Sequence, residues 1–172
     1  MRNTPAQRQY VNGEIFPYKG KRLELAVVNG MHVPAENVTT EDGFLWVNAM
    51  APERVRQLIL YWYTAETESI VRKLVPEWSK KLAVRPRAVT VKYALTRWGS
   101  CSTSGKIFLN SRLAMLSGEV GEYVVVHELC HLKHMNHAKG FKDEVASVLP
   151  DWKERRKAHR DQALILRACG WL

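Results

Sequence analysis

Four of the chain's six histidines fall within eleven consecutive positions, in "HELCHLKHMNH", residues 127–137. Imidazole nitrogens bind divalent transition metals, so spacing decides which of His127, His131, His134 and His137 can share one ion. On a helix, His127 and His131 lie on one face, separated by about 6 Å along the axis, as two ligands of one tetrahedral ion require. Glu128 sits roughly 100° round the helix from His127. From that flank its carboxylate can reach a water on the metal without competing as a ligand. This is the mechanical content of H-E-x-x-H: two ligands and a general base.

His134 shares a face with His127 but lies about 10 Å farther along, too far to close the same tetrahedron. A third ligand therefore requires the helix to end and the chain to fold back. Asn136, one of the few non-glycine residues tolerated in the left-handed region, is the expected terminator, after which His137 swings towards the metal. The spacing 127, 131, 137 equals that of H-E-x-x-H-x-x-G-x-x-H, with His134 in the glycine position. The turn must therefore form differently here. The expected centre is one zinc ion on His127, His131 and His137, with solvent in the open fourth position and Glu128 as base. Ligand type leaves manganese and iron as alternatives. Asp143 and Glu144 are the fallback third ligands. His134 is expected to support the ligands or sit at the surface, and His32 and His159 to face solvent. Cys130 is expected to be a small core residue turned from the ligand face.

The elements that must position these residues follow from periodicity and turn formers. Residues 1–50 hold turns ("VNGE", "YKGK", "VNGM", "TEDG") between short β-branched runs, the pattern of a β-rich segment of strands and hairpins. From Pro52, Val55, Leu58, Ile59, Trp62 and Tyr63 recur at helical spacing, and Pro76 is expected to kink or end that helix. "RAVTVKYAL" reads as a strand, and "RWGSCSTSGKIFLNSRL" as strand, tight "STSG" turn and strand. Ser117 is the expected N-cap of a helix from about Gly118 to Met135. "FKDEVASVL" and "WKERRKAHRDQALILRA" are two further helices. This order implies an α+β fold, with residues 51–172 forming the domain that carries the histidines, in one unit with residues 1–50.

Length and composition set the bounds. A chain of 172 residues with 46% hydrophobic and 25% charged residues is that of an ordinary soluble domain able to bury a core. "MRNTPAQRQYVNGEIF" has no apolar signal region, and runs such as "LAVV" and "YVVV" are too short to cross a bilayer, so a cytoplasmic protein without membrane contact is expected. Cys101, Cys130 and Cys169 form no CxxC pair and are expected to be reduced thiols. The net charge of +9 favours contact with phosphates or acidic surfaces, though it also suits mere solubility.

In the segments "VNGEIFPYKGKR", "RWGSC", "IFLNSRL", "YVVVHELCHLKHMNH" and "LPDWKERR", the sequence resembles the YgjP-like metallopeptidase family, relatives of the SprT-like and WLM metalloproteases. The resemblance covers most of the chain from about Tyr10 onward. It implies a zincin-like fold, a small antiparallel sheet packed on helices, a zinc ion on His127, His131 and His137, and Glu128 as base. Two departures stand out. Family members usually carry a further β-rich stretch ahead of the matching region, which implies altered substrate access here. They also commonly place an aromatic where this chain has Lys142, which implies looser packing beneath the metal loop.

The expected chemistry is peptide hydrolysis: zinc activates water, Glu128 takes its proton, and the proton passes to the leaving amine. "GKIFLNSRL" is either the edge strand that pairs with an extended substrate or a plain core strand. "RWGSC" is expected to be a structural turn, with Trp98 in the core and Gly99 allowing the bend. An alternative keeps the metal and hydrolyses a nucleoside triphosphate, with Lys92, Arg97, Arg112, Lys133 and Lys139 as the available cations. A further alternative is a nucleic-acid-associated protease of SprT-like type using the basic stripes "KKLAVRPR" and "KERRKAHR"; a solvated helix face is the simpler reading of both. Oligomeric state and physiological substrate are not written in these patterns.

Overall fold

The computed structural model describes residues 8–29 and 35–171, so the expectation for His32 lies outside the described residues. The first sheet is built from β1 (Ile15–Tyr18), β2 (Lys21–Asn29), β3 (Asn37–Glu41) and β4 (Phe44–Ala49), in the order β1-β2-β4-β3. Two-residue turns close its hairpins. Lys19 and Gly20 have φ of 48° and 76°, and Asp42 and Gly43 have 49° and 84°, the left-handed pair that a twisted hairpin demands. Leu23 and Leu25 alternate inward on β2, and Leu45, Val47 and Ala49 on β4, so one face is buried.

Helix α1 (Pro52–Lys81) runs unbroken for 30 residues, so Pro76 does not end it. Its missing N–H frees the carbonyl of Arg72, and both residues are on the exposed side, where water can take over the lost bond. Val55, Ile59, Tyr63, Thr67 and Val71 bury one stripe at four-residue spacing.

The second sheet comprises β5 (Ala88–Lys92), β6 (Gly99–Cys101) and β7 (Lys106–Asn110) in the order β5-β7-β6. The α+β class holds, but the expected small antiparallel sheet is in fact two mixed sheets, because β2 pairs with β4, and β5 with β7, in parallel. A short 3-10 helix (Ser111–Met115) then leads into α2 (Gly118–Cys130), α3 (Lys139–Val148) and α4 (Trp152–Ala168). No described helix is long and apolar enough to cross a membrane.

One hydrophobic cluster joins both sheets to α1 and α2. Trp171 closes it from the C-terminal side, packing on Phe16 and Tyr63 at ring separations of 5.2 and 5.8 Å. Cys130 is buried as expected, Cys101 is half-buried and Cys169 exposed, all three as free thiols. Ser117 occupies the N-cap position of α2, but its side chain does not cap the helix. Its hydroxyl accepts from Gln162 Nε2 at 2.9 Å while its N–H donates to Gln162 Oε1 at 3.0 Å, which ties α2 to α4.

The 3-10 helix is pinned to α1 by a single fully buried hydroxyl. Thr67 Oγ1 donates to the Ser111 carbonyl at 2.7 Å and accepts from Ala114 N at 3.2 Å. Thr67→Val keeps the shape but leaves both backbone groups unpaired, so urea unfolding should show a loss of about 1–3 kcal/mol with native circular dichroism retained.

Candidate metal centre

Helix α2 is apolar nearly all round, with Val120, Tyr123, Val124, Val125, Val126 and Leu129 buried, so the core on every side fixes the direction in which its last turn points. The helix ends about five residues earlier than Met135. Cys130 is its last residue, and Leu132 N, Lys133 N and His134 N fold back onto the carbonyls of Leu129 and Cys130. His131 reinforces the stop: its Nδ1 donates to the His134 carbonyl at 2.9 Å. Asn136 does not adopt a positive φ. Its Oδ1 instead accepts from Ala138 N at 3.2 Å, a side-chain turn that leads into α3 and presents His137 on the way.

The result is three imidazoles facing one point. His127 Nε2 lies 3.2 Å from His131 Nε2 and 3.0 Å from His137 Nε2. One ligand atom from each of the three falls within 4.8 Å of the others. Phe141, on the first turn of α3, forms the floor, with its ring centroid 4.8, 4.6 and 4.8 Å from those of His127, His131 and His137. His134 stands outside this set. It supplies the carbonyl that orients His131, its Nε2 lies 3.6 Å from Glu144, and its ring packs over Gly140.

These residues fit a divalent cation. His131 keeps its proton on Nδ1, where a carbonyl accepts it, so its Nε2 offers a lone pair. Burial, followed by the neighbouring His131 and His137, pushes His127 down to about 3, so it is neutral. Metal–nitrogen bonds of about 2 Å at tetrahedral angles hold ligand nitrogens a little over 3 Å apart. A proton on one of these nitrogens can bridge a single pair, whereas a divalent cation satisfies all three at once. Asp143 and Glu144, the fallback ligands, are engaged elsewhere: Asp143 pairs with Lys139 at 2.6 Å and Glu144 with Lys133 at 2.8 Å.

Glu128 is buried beside the histidines, with burial alone pushing its carboxyl up to about 7. Its Oε2 is closed from solvent and has no hydrogen-bond partner among the described residues. Gly99 makes room for it. A Cβ at Gly99 would lie 2.7 Å from Glu128 Cγ and 2.7 Å from Oε1. Gly99 therefore serves close approach and not a bend, since its φ is not positive. A glycine inside a strand is the signal that could have revealed this. Trp98 is half-buried, with its ring 5.6 Å from that of His159.

The strand expected to meet substrate is also corrected. β7 ("KIFLN") is central, flanked on both sides, so it has no edge to offer. The edges belong to β5 and β6, and β6 is the one that lies against Glu128. Bonds from Asn110 N to Trp98 O and from Ser102 N to Lys106 O make Trp98, Ser100 and Ser102 the positions paired to β7, so Gly99 and Cys101 turn their backbone groups outward.

A cleft of about 370 Å³ opens over His127 and His137, walled by Tyr123, Phe141 and Trp152 and edged by Lys142 and Arg156. Neither cation has an ion-pair partner among the described residues. None of Lys92, Arg97, Arg112, Lys133 and Lys139 lines this cleft. His159 does not face solvent as expected. It is half-buried near Tyr123 and Trp98, with Nε2 buried and unpaired. Trp152, Arg156 and His159 recur at positions i, i+4 and i+7 of α4, a stripe visible in the sequence once that helix is known to pack on α2.

Comparison with known proteins places the chain. The fold is similar to that in the crystal structure of the metallopeptidase zymogen of Pyrococcus abyssi abylysin, with TM-score 0.50 and 24% identity over 56% of this chain and 95% of that one. It is also similar to the metallopeptidase zymogen of Methanocaldococcus jannaschii jannalysin, with TM-score 0.49 and 20% identity over 54% of this chain and 96% of that one. No curated protein matches. The family model described as "YgjP-like, metallopeptidase domain" matches residues 1–161, both sheets and the histidine helix included, and the chain therefore belongs to the YgjP-like metallopeptidase family.

Proposed function

We propose that His127, His131 and His137 hold one zinc ion and that Glu128 is the general base of a peptide-bond hydrolysis. The observation that carries this reading is the convergence of three Nε2 atoms beside a buried carboxylate with an unpaired oxygen. Bound zinc would supply an acidified water and a Lewis acid for the scissile carbonyl. Glu128 accepts the proton from the attacking water and passes it to the leaving amine nitrogen. Desolvation makes this carboxylate a stronger base than an exposed one. Gly99 keeps the carboxylate in place, and the outward backbone groups of Gly99 and Cys101 offer an extended peptide an edge to pair with.

Purified protein loaded with zinc and dialysed should retain about one ion per chain, and His137→Ala should bind it at least tenfold more weakly. Glu128→Gln should keep the ion while casein cleavage falls by about two to four orders of magnitude. Release of phosphate from nucleoside triphosphates without casein cleavage, abolished by the same substitution, would transfer the site to a nucleotide hydrolase.

Gly99→Ala should spare zinc affinity, because the histidines are untouched, yet lower kcat at least tenfold by displacing Glu128. Equal kcat in the two proteins would show that the carboxylate does not need that space.

Lys142 and Arg156 give the cleft a positive rim, which favours acidic substrate side chains. Arg156→Glu should lower kcat/KM for a glutamate-containing fluorogenic peptide and raise it for a lysine-containing counterpart, each by about tenfold at low salt and less at high salt.

A further inference from the structure

A second cavity, larger than the histidine cleft, lies elsewhere in the fold. It measures about 720 Å³ and shares no lining residue with that cleft. This is within the ordinary range for a small-molecule site. Its floor and walls come from α1, the 3-10 helix, the loop after β5 and the C-terminal Gly170 and Trp171. Arg8, Arg56 and Arg112 line it, and among the described residues no aspartate or glutamate does.

Arg112 is the telling residue. It is 4% exposed, and a charged guanidinium so deeply placed normally meets a carboxylate. Among the described residues it meets neutral oxygens only. Nη1 donates to the Leu95 carbonyl at 3.3 Å, Nη2 donates to the Tyr93 hydroxyl, and the Tyr93 ring lies 4.4 Å from the guanidinium carbon. Arg8 is used structurally. It donates to the Ile15 and Cys169 carbonyls at 3.0 and 2.9 Å and stacks 3.8 Å over Trp171. Arg56, on the exposed side of α1, has no hydrogen-bonded or ionic partner among the described residues. The apolar and aromatic part of the lining includes Leu60, Leu95, Met115 and Trp171.

We infer that this cavity is a binding site for a small amphipathic anion, whose carboxylate or phosphate sits between Arg112 and Arg56 while its apolar or aromatic body packs on Leu60, Met115 and Trp171. Guanidinium groups suit planar, bidentate contact with such oxyanions, and the surrounding apolar wall raises the strength of that contact by excluding water. The site is independent of the metal reading, because it needs none of the histidines.

The test is isothermal titration of the full chain, both termini present, with phenylacetate, phenyl phosphate and the neutral phenylacetamide. At least one of the two anions should saturate at one site per chain, and the relative affinity of the two says which oxyanion the arginines prefer. The neutral amide should bind at least tenfold more weakly. Arg56→Gln, a surface change on α1 that leaves folding intact, should weaken the preferred anion about tenfold, and Arg56→Lys should recover part of the loss. His137→Ala should leave binding unchanged. Absence of saturable binding by either anion, equal binding of the amide, or loss of binding in His137→Ala would each overturn the inference.

Discussion

The molecule turns on a crowding of like groups: one nitrogen of His127 stands 3.0 Å from that of His137 and 3.2 Å from that of His131. Lone pairs brought this close repel unless a proton or a cation stands between them, only a cation serves all three, and the fold supplies the force that holds them there. The buried run from Val120 to Leu129 fixes the axis of α2, the His134 carbonyl fixes the ring of His131, and Phe141 supports all three rings from below. On the proposed reading, an ion bound here would couple ligand binding to folding, since it would relieve a crowding that packing alone must otherwise sustain.

The same logic governs the carboxylate. Glu128 is buried with an oxygen unpaired, an arrangement that destabilises the fold and is tolerated where chemistry needs it. The second sheet accommodates it by giving up a side chain at Gly99. Helix and sheet thus divide the work between them. Helix α2 carries His127 and Glu128 and ends at His131, its C-cap, while β6 supplies the vacant Cβ position beside Glu128 and an unpaired edge.

Much of this could be read directly from residue order. The one-turn spacing of His127 and His131, the third histidine beyond a necessary turn, the Asp42-Gly43 hairpin and the start at Pro52 all follow from local geometry, and local geometry is what a sequence encodes most openly. Features set by side-chain bonding, solvent exposure or distant partners were hidden. The early end of α2 comes from His131 binding a carbonyl three residues on, where periodicity alone extends the helix to Met135. Pro76 passes through α1 because the freed carbonyl is exposed. β7 became central only through its parallel pairing with β5, a long-range event. His159, alone in the sequence, acquires its place from the packing of α4 on α2, and Gly99 acquires its meaning from a side chain twenty-nine positions away.

X-ray absorption at the zinc edge, on protein loaded with one equivalent of zinc, reads the central claim most directly. Three histidine ligands and a solvent molecule predict an imidazole-rich first shell of nitrogen and oxygen at about 2.0–2.1 Å, with the multiple-scattering pattern of histidine rings and no sulfur. A sulfur shell at about 2.3 Å, or a spectrum of hydrated zinc free in solution, would contradict it.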